Sequence, residues 1–249
     1  MEFSSSVFQR QQMRTEMNAD IVMITGAAGN LGRAVVEELA SRGTQLACVE
    51  RNPASLDALV ASLPSGTSVL KLPGVDLTDF KACQDAVEKA EAHFGGIHAL
   101  VNTVGGFQMA PVGEKGLDQW DALLTLNART AYAISAAILP GMQKAGYGRI
   151  VHVAAAPGLK AGARQAAYAA SKAAVIRLTE AIAAENRSHR ISANCILPGT
   201  IDTPQNRAAM PDADRDSWVS APSIAKLIAY LASAEGGVVT GAAIPATGF

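Results

Sequence analysis

The sequence has few of the residues that staple or anchor a fold. Three cysteines, Cys48, Cys83 and Cys195, are scattered over 249 residues. None forms a C-x-x-C pair or a Cys/His ligand spacing, which excludes a disulfide framework or zinc site as the organising device and leaves small reduced core residues. The four histidines, His93, His98, His152 and His189, form no H-E-x-x-H pair, so no metal is expected. Charge is almost balanced, at a formal −1, and no Lys/Arg run offers a surface to nucleic acid or anionic membrane. No apolar run reads as the roughly 18–20 residues of a membrane span. Residues 1–19 lack the apolar stretch of a secretion signal. They are mostly polar, Met13 and Met17 are alternative starts, and the segment reads as a flexible N-terminal extension of a cytoplasmic protein.

What is present is an ordinary globular balance, 49% hydrophobic and 17% charged residues. This length suits one large α/β domain, which buries enough surface to need no staples. The apolar pattern alternates between short β-like runs and helical stretches. Strands are expected at 21–24, 45–49, 69–72, 99–101, 149–154, 192–196 and 242–245. Helices are expected at 33–42, 55–62, 80–94, 117–142, 165–186 and 223–233, with an irregular stretch leading to Ser220. Strands alternating with helices imply a parallel sheet covered on both faces. Right-handed crossovers make it a doubly wound, Rossmann-type single domain over residues 20–249.

The turn Thr25-Gly26-Ala27-Ala28-Gly29-Asn30-Leu31-Gly32 joins the first strand to the first helix. Missing Cβ atoms let the backbone turn tightly and approach a pyrophosphate, whose charge the helix N-terminal amides stabilise. A glycine-rich turn alone also simply makes turns; its place after an apolar strand points to a dinucleotide. Glu50, at the end of the second strand, lies where an acid would accept hydrogen bonds from the adenosine ribose and repel a 2′-phosphate, favouring NAD(H) over NADP(H). Arg51 beside it could instead pair with that phosphate.

Further motifs follow in order: Asp76-Leu77-Thr78, Asn102-Thr103-Val104-Gly105, Asn127, Tyr168-x-x-x-Lys172 and Pro198-Gly199. With the glycine turn they make the chain resemble the short-chain dehydrogenase/reductase family from about Asp20 to its end. The resemblance implies an NAD(P)-dependent oxidoreductase acting on a small molecule. By it, Gly26, Gly29, Asn30, Leu31, Gly32, Glu50, Asp76, Leu77, Asn102, Val104 and Gly105 contact or support the cofactor. Pro198, Gly199, Ile201 and Thr203 flank the nicotinamide. The turn departs from the family's Thr-Gly-x-x-x-Gly-x-Gly, since Asn30 stands at the middle glycine and Gly29 one position earlier; helical or left-handed geometry is tolerable for Asn.

Tyr168 and Lys172 are four apart in a helical stretch and face one direction. A free tyrosine near pKa 10 is a poor acid or base at neutral pH, and a neighbouring ammonium is expected to lower that value. The family adds a ribose contact from the lysine, and an asparagine holding a relaying water, which Asn127 matches.

The family's substrate-orienting serine lies 13 residues before the tyrosine, and here that position is Ala155. No hydroxyl stands at 154, 155 or 156, and His152 faces the other side of the strand. A carbonyl reductase would lose one donor to the developing alkoxide, a cost of roughly 10²–10³ in rate. Three accounts of Ala155 stand at this point: a substrate that does not need the donor, a dead site, or an engineered substitution. Dihydropteridine reductases also carry alanine there and reduce a conjugated quinonoid ring. The likeness to that branch extends through Asp202-Thr203-Pro204-x-Asn206-Arg207-x-x-Met210-Pro211-x-Ala213-Asp214-x-x-Ser217-Trp218, and to Val104-Gly105-Gly106. It implies a lid in which Asn206, Arg207, Met210 and Trp218 meet the substrate, the indole stacking on a flat heterocycle or merely packing on the domain. Rival readings are a general carbonyl or 3-oxoacyl reductase working without the serine, and a nucleotide-binding scaffold or sensor. The resemblance also implies a homodimer or homotetramer pairing through 117–142 and 165–186, where Ala166, Ala170, Ala173, Ala174 and Ala181 allow close approach.

Overall fold

The computed structural model describes residues 20–248, so the reading of residues 1–19 as an extension lies outside the described residues. Seven parallel strands form the main sheet: β1 (Ile21–Thr25), β2 (Gln45–Glu50), β3 (Val69–Pro73), β4 (Ala99–Asn102), β5 (Gly148–Val153), β6 (Ile191–Pro198) and β9 (Ala243–Ala246), in the order β3-β2-β1-β4-β5-β6-β9. The order reverses between β1 and β4, which opens a crevice at the carboxyl ends of these strands, the place where doubly wound sheets bind ligands. The sequence forms this sheet because its central strands are short continuous apolar runs; β1 and β4 are buried along their whole length.

Helices cover both faces. On one side α1 (Asn30–Ser41) packs with α8 (Ala221–Ala232), their Val35, Val36, Leu39, Ile224 and Ile228 meeting Val22, Ile24 and Val101 of the sheet. α2 (Pro53–Ala61) adds Leu56 and Leu59 to that layer. On the other side α3 (Phe80–Phe94) and α5 (Thr130–Ala145) bury Ala86, Val87, Ile134 and Ile138 against Met23, Leu100 and Ile150. Each fully buried Ile or Leu contributes about 1.5–3 kcal/mol relative to exposure. α6 (Ala166–Glu185) closes the same face over β6 through Val175 and Ile176.

Three expectations are corrected. The helix read over 117–142 is three pieces: α4 (Gly116–Leu123), a π turn at Leu124–Arg129, and α5. Helical periodicity does not reveal one inserted residue per turn. By length and composition the combined run Gly116–Ala145 could cross a membrane, contrary to the reading above. Its apolar face, Ala131, Ile134, Ile138 and Met142, is buried against the protein's own core, which accounts for the composition. The stretch before Ser220 is not wholly irregular either. β7 (Ile201–Asp202) and β8 (Val219–Ser220) pair in parallel, and α7 (Pro204–Ala209) starts on proline under a Thr203 cap.

Candidate active site

The first wall of the crevice is the turn from β1 into α1. Gly26 has φ +67°, and a Cβ there would lie 3.0 Å from Thr103 Oγ1 and 3.1 Å from Val104 Cγ2. A Cβ on Gly32 would fall 2.0 Å from the Gly26 carbonyl oxygen, so α1 rests on the turn only because Gly32 lacks a side chain. Gly29 is the N-cap and offers no side-chain bond to the helix, and the first turn holds no acid. The amides there are left to an anion. Asn30 is simply the first helical residue, its side chain hydrogen-bonded to Gln205. Leu31 is buried in the core, so only its backbone faces the crevice.

Glu50 sits at the end of β2 with its carboxylate between the glycine turn and the start of α2: Oε2 accepts from Ala28 N at 3.2 Å and Oε1 from Asn52 N at 3.1 Å. Asp76 accepts from the backbone and hydroxyl of Thr78 at 2.9 and 2.8 Å. Those two bonds, with a smaller contribution from the Arg51 charge, hold its carboxyl below the usual range. The side chain of Leu77 is buried in the core behind it, which leaves that residue a backbone role at most.

Beneath the crevice runs a buried polar chain. Thr25 Oγ1 donates to Asn102 Oδ1 at 2.6 Å, and Asn102 Nδ2 lies 3.4 Å from His152 Nδ1. His152 Nε2 lies 3.2 Å from Ser135 Oγ, whose proton goes to the Ala131 carbonyl at 2.7 Å. The direction of each bond then assigns the histidine: Nε2 carries the hydrogen, Nδ1 accepts, and the ring is neutral. Burial, and after it the Lys172 charge, pushes the imidazole down to about 4. His152 thus supports the strands from below and does not face the substrate side.

The residues expected to do the chemistry gather where β4, β5, the π turn and α6 meet. Lys172 Nζ donates to the Val153 carbonyl at 2.9 Å and lies 6.0 Å from the centre of the Tyr168 ring. Asn127, in the middle of the π turn, accepts from Gly106 N at 2.8 Å and donates to Gly106 O at 3.1 Å and Ser171 Oγ at 2.9 Å. A Cβ on Gly105 would lie 2.8 Å from Asn127 Oδ1 and 2.9 Å from Lys172 Nζ, so the β4 loop, the π turn and the lysine are fitted to one another around a missing side chain. Burial pushes the Tyr168 phenol up to about 12 and draws the Lys172 ammonium down to about 8. The expected lowering of the phenol by its ammonium neighbour is corrected: desolvation by burial raises it. Ala155 is extended, buried and two residues beyond the carbonyl that holds Lys172.

The far wall is the segment after β6. Gly199 N donates to Ala246 O at 3.1 Å, and a Cβ there would meet the Thr247 backbone at 3.2 Å. Ile201 is half-buried on the core, and Thr203 is buried, its hydroxyl accepting from Asn206 N at 3.1 Å. Two lid residues are engaged internally: Asn206 Nδ2 donates to Ile201 O at 2.8 Å, and Arg207 grips both Asp202 oxygens at 2.6 and 2.7 Å. Their polar groups stitch β7 to α7. Met210 is exposed and Trp218 half-buried, with the Arg215 guanidinium 5.9 Å from the indole ring centre. The sequence reading gave no role to three residues. Thr103 stands within the quoted Asn102–Gly105 motif and Ser171 next to Lys172, and that was their signal; Phe107, whose ring meets Tyr168 edge to face at 4.8 Å, carried none beyond its place after Gly105-Gly106.

Residues 20–214 match the family model described as short chain dehydrogenase. The chain is 31% identical over 242 residues to a protein named nodulation protein G from Azospirillum brasilense, covering 93% of this chain and 98% of that one. It is 29% identical over 236 residues to a 3-oxoacyl-[acyl-carrier-protein] reductase of Escherichia coli (strain K12), covering 92% and 96%. A solved structure titled as an NAD+-bound xylitol dehydrogenase superposes with a TM-score of 0.85 at 27% identity, over 94% of this chain and all of that one. With the glycine turn, the parallel sheet and the Tyr168–Lys172 helix in place, the chain belongs to the short-chain dehydrogenase family and is an NAD(P)-dependent oxidoreductase.

Proposed function

We propose that this enzyme uses NADH to reduce a conjugated C=N or quinonoid acceptor, as dihydropteridine reductases do, with Tyr168 as proton donor. The observation that carries the acceptor class is Ala155. It is 6% exposed, Ala154 and Ala156 beside it have no hydroxyl, and His152 is committed to Asn102 and Ser135 below the strand. An isolated ketone concentrates negative charge on one oxygen and depends on each donor that meets it, whereas a conjugated acceptor spreads that charge over a ring.

The nicotinamide cofactor, when bound, supplies the hydride. The turn Gly26–Gly32 and the amides opening α1 would hold its pyrophosphate, Glu50 its adenosine ribose and Asp76 its adenine edge. Asn102, Val104 and Gly105 would support its central part, with Pro198, Gly199, Ile201 and Thr203 beside the nicotinamide. Burial keeps the Tyr168 proton in place at neutral pH, and the ammonium of Lys172 would favour the phenolate as that proton leaves. Lys172, charged over most of the neutral range and held by Val153 O, stabilises the negative charge left on that oxygen. Asn127, clamped to Gly106 and Ser171, fixes the π turn whose loosened backbone would hold a relaying water. Glu50 supports NAD(H) because its carboxylate, held by the amides of Ala28 and Asn52, would repel a 2′-phosphate.

The name of the 3-oxoacyl relative favours a second reading, reduction of acyl thioesters without the serine. Turnover with NADH on quinonoid dihydropterin, an acetoacetyl thioester and simple ketones separates the two: the pterin is expected to be fastest, and a faster thioester overturns the acceptor class. NADH binding with no oxidation of any acceptor would make the chain a scaffold or sensor. A homo-oligomer fits the same reading, since Ala166 and Ala181 are exposed and Ala170, Ala173 and Ala174 only half-buried on α6.

A further inference from the structure

We infer that Phe107 determines specificity: its ring is a fixed aromatic wall, perpendicular to the Tyr168 ring, on which a planar acceptor stacks. The inference rests on the conjugated-acceptor reading above and names the residue that selects for it. Single exposed apolar side chains are ordinary on protein surfaces, so the 57% exposure of Phe107 carries nothing by itself. What distinguishes it is where the ring is held and how firmly.

The peptide just before it is clamped at both ends by one side chain, Asn127 accepting from Gly106 N and donating to Gly106 O. The loop lies so close to the π turn that a Cβ on Gly106 would come within 2.6 Å of Leu126 Cδ2. Three residues further on, Ala110 N donates to Arg164 O at 2.9 Å, tying the loop to the segment that leads into α6. Arg164 holds that bond with φ +65°, a conformation a non-glycine residue keeps only where its surroundings impose it. Phe107 is therefore an exposed aromatic on a backbone fixed on both sides.

Its ring meets the Tyr168 ring at 4.8 Å between centres and 89° between planes. The two rings form a right-angled corner. A flat acceptor that receives its proton from the phenol at one wall presents its π-face to the other, and the stacking orients it. Orientation by stacking also fits Ala155: where no hydroxyl fixes the acceptor's heteroatom, a rigid aromatic plane does so for flat molecules and does little for flexible aliphatic ones.

The test uses Phe107→Ala, Phe107→Leu and Phe107→Trp with two readouts. The first is the dissociation constant of fully oxidised pterin, an unreactive flat probe, on the NAD-bound enzyme. The second is KM and kcat for quinonoid dihydropterin and for an aliphatic ketone. Aromatic contacts of this kind are worth a factor of roughly 3–10, so Ala and Leu should weaken pterin binding and raise the dihydropterin KM by about that much while Trp restores both. The aliphatic KM should not rise with them. Unchanged pterin affinity in Phe107→Ala, full rescue by Leu, or parallel rises in both KM values would overturn the inference. Phe107-dependent pterin binding in an enzyme that nonetheless prefers the thioester would sink the acceptor-class reading and leave the stacking wall standing.

Discussion

Adding one methyl group at Gly105 should disable this site more than it destabilises the fold. The new Cβ would lie 2.8 Å from Asn127 Oδ1 and 2.9 Å from Lys172 Nζ, so both must retreat by about 0.5 Å to reach ordinary contact. Asn127 would lengthen its 2.8 Å bond to Gly106 N, and Lys172 its 2.9 Å bond to Val153 O. A hydrogen bond to a charged group is worth about 1.5–3 kcal/mol, and Lys172 is only 5% exposed, so water replaces it poorly. Gly105 does not have positive φ, so alanine fits its backbone and recovers about 0.4–1 kcal/mol of unfolded-chain entropy. The net loss is about 1–2 kcal/mol, a fall in Tm of roughly 2–8 °C for a chain of this length. Displacement of the lysine and asparagine acts on the transition state by the same 1.5–3 kcal/mol, roughly a 10- to 150-fold drop in kcat. NADH oxidation under saturating acceptor reads the rate, and thermal unfolding reads the stability. Wild-type turnover with an unchanged Tm would show that the fit of the loop, the π turn and the lysine has no part in the chemistry.

Three further outcomes follow from the same geometry. Ala155→Ser should raise simple-ketone turnover by roughly 10- to 100-fold and leave a conjugated acceptor nearly unchanged, because only the former lacks the donor; equal gains on both would refute that difference. Glu50→Ala should raise the NADPH-to-NADH ratio of kcat/KM by roughly tenfold or more, about 1.4 kcal/mol of repulsion removed, and a constant ratio would take Glu50 out of cofactor selection. His152 has a folded pKa of about 4 against an ordinary 6.5, so the unfolded chain takes up its proton first as the pH falls. Its share of stability is intact above pH 6.5 and is lost on the way down to pH 4, about 3 kcal/mol in all. Urea unfolding of wild type and His152→Asn across that window should show the steeper decline in wild type, and parallel curves would contradict the neutral assignment.

The doubly wound order was legible because β1, β2 and β4 are short apolar runs and the helices between them end at glycines such as Gly43 and Gly95, both with positive φ. The glycine turn was legible for the same reason: Gly26 and Gly32 are required by backbone contact, which leaves a trace in residue type. The π turn around Asn127 was hidden, since one extra residue per turn barely disturbs an apolar stripe that Ile134 and Ile138 continue. Asn206 and Arg207 look like binding residues in sequence, yet an amide and a guanidinium are also what a short helix and a two-strand ribbon use to close on themselves. The protonation of Tyr168 was misjudged because residue spacing reports that a lysine is near but not that both groups are withdrawn from water. Phe107 lay in no motif, and only its right-angled contact with Tyr168 marks it.

The claim on which the account turns is that the Tyr168 hydroxyl delivers the proton while the rest of the crevice holds the cofactor. Calorimetric titration of NADH into Tyr168→Phe, alongside its turnover on quinonoid dihydropterin, tests this most directly. Affinity within about twofold of wild type with turnover reduced by roughly 10²-fold or more is the expected result. Undiminished turnover in that variant would mean that another group is the acid.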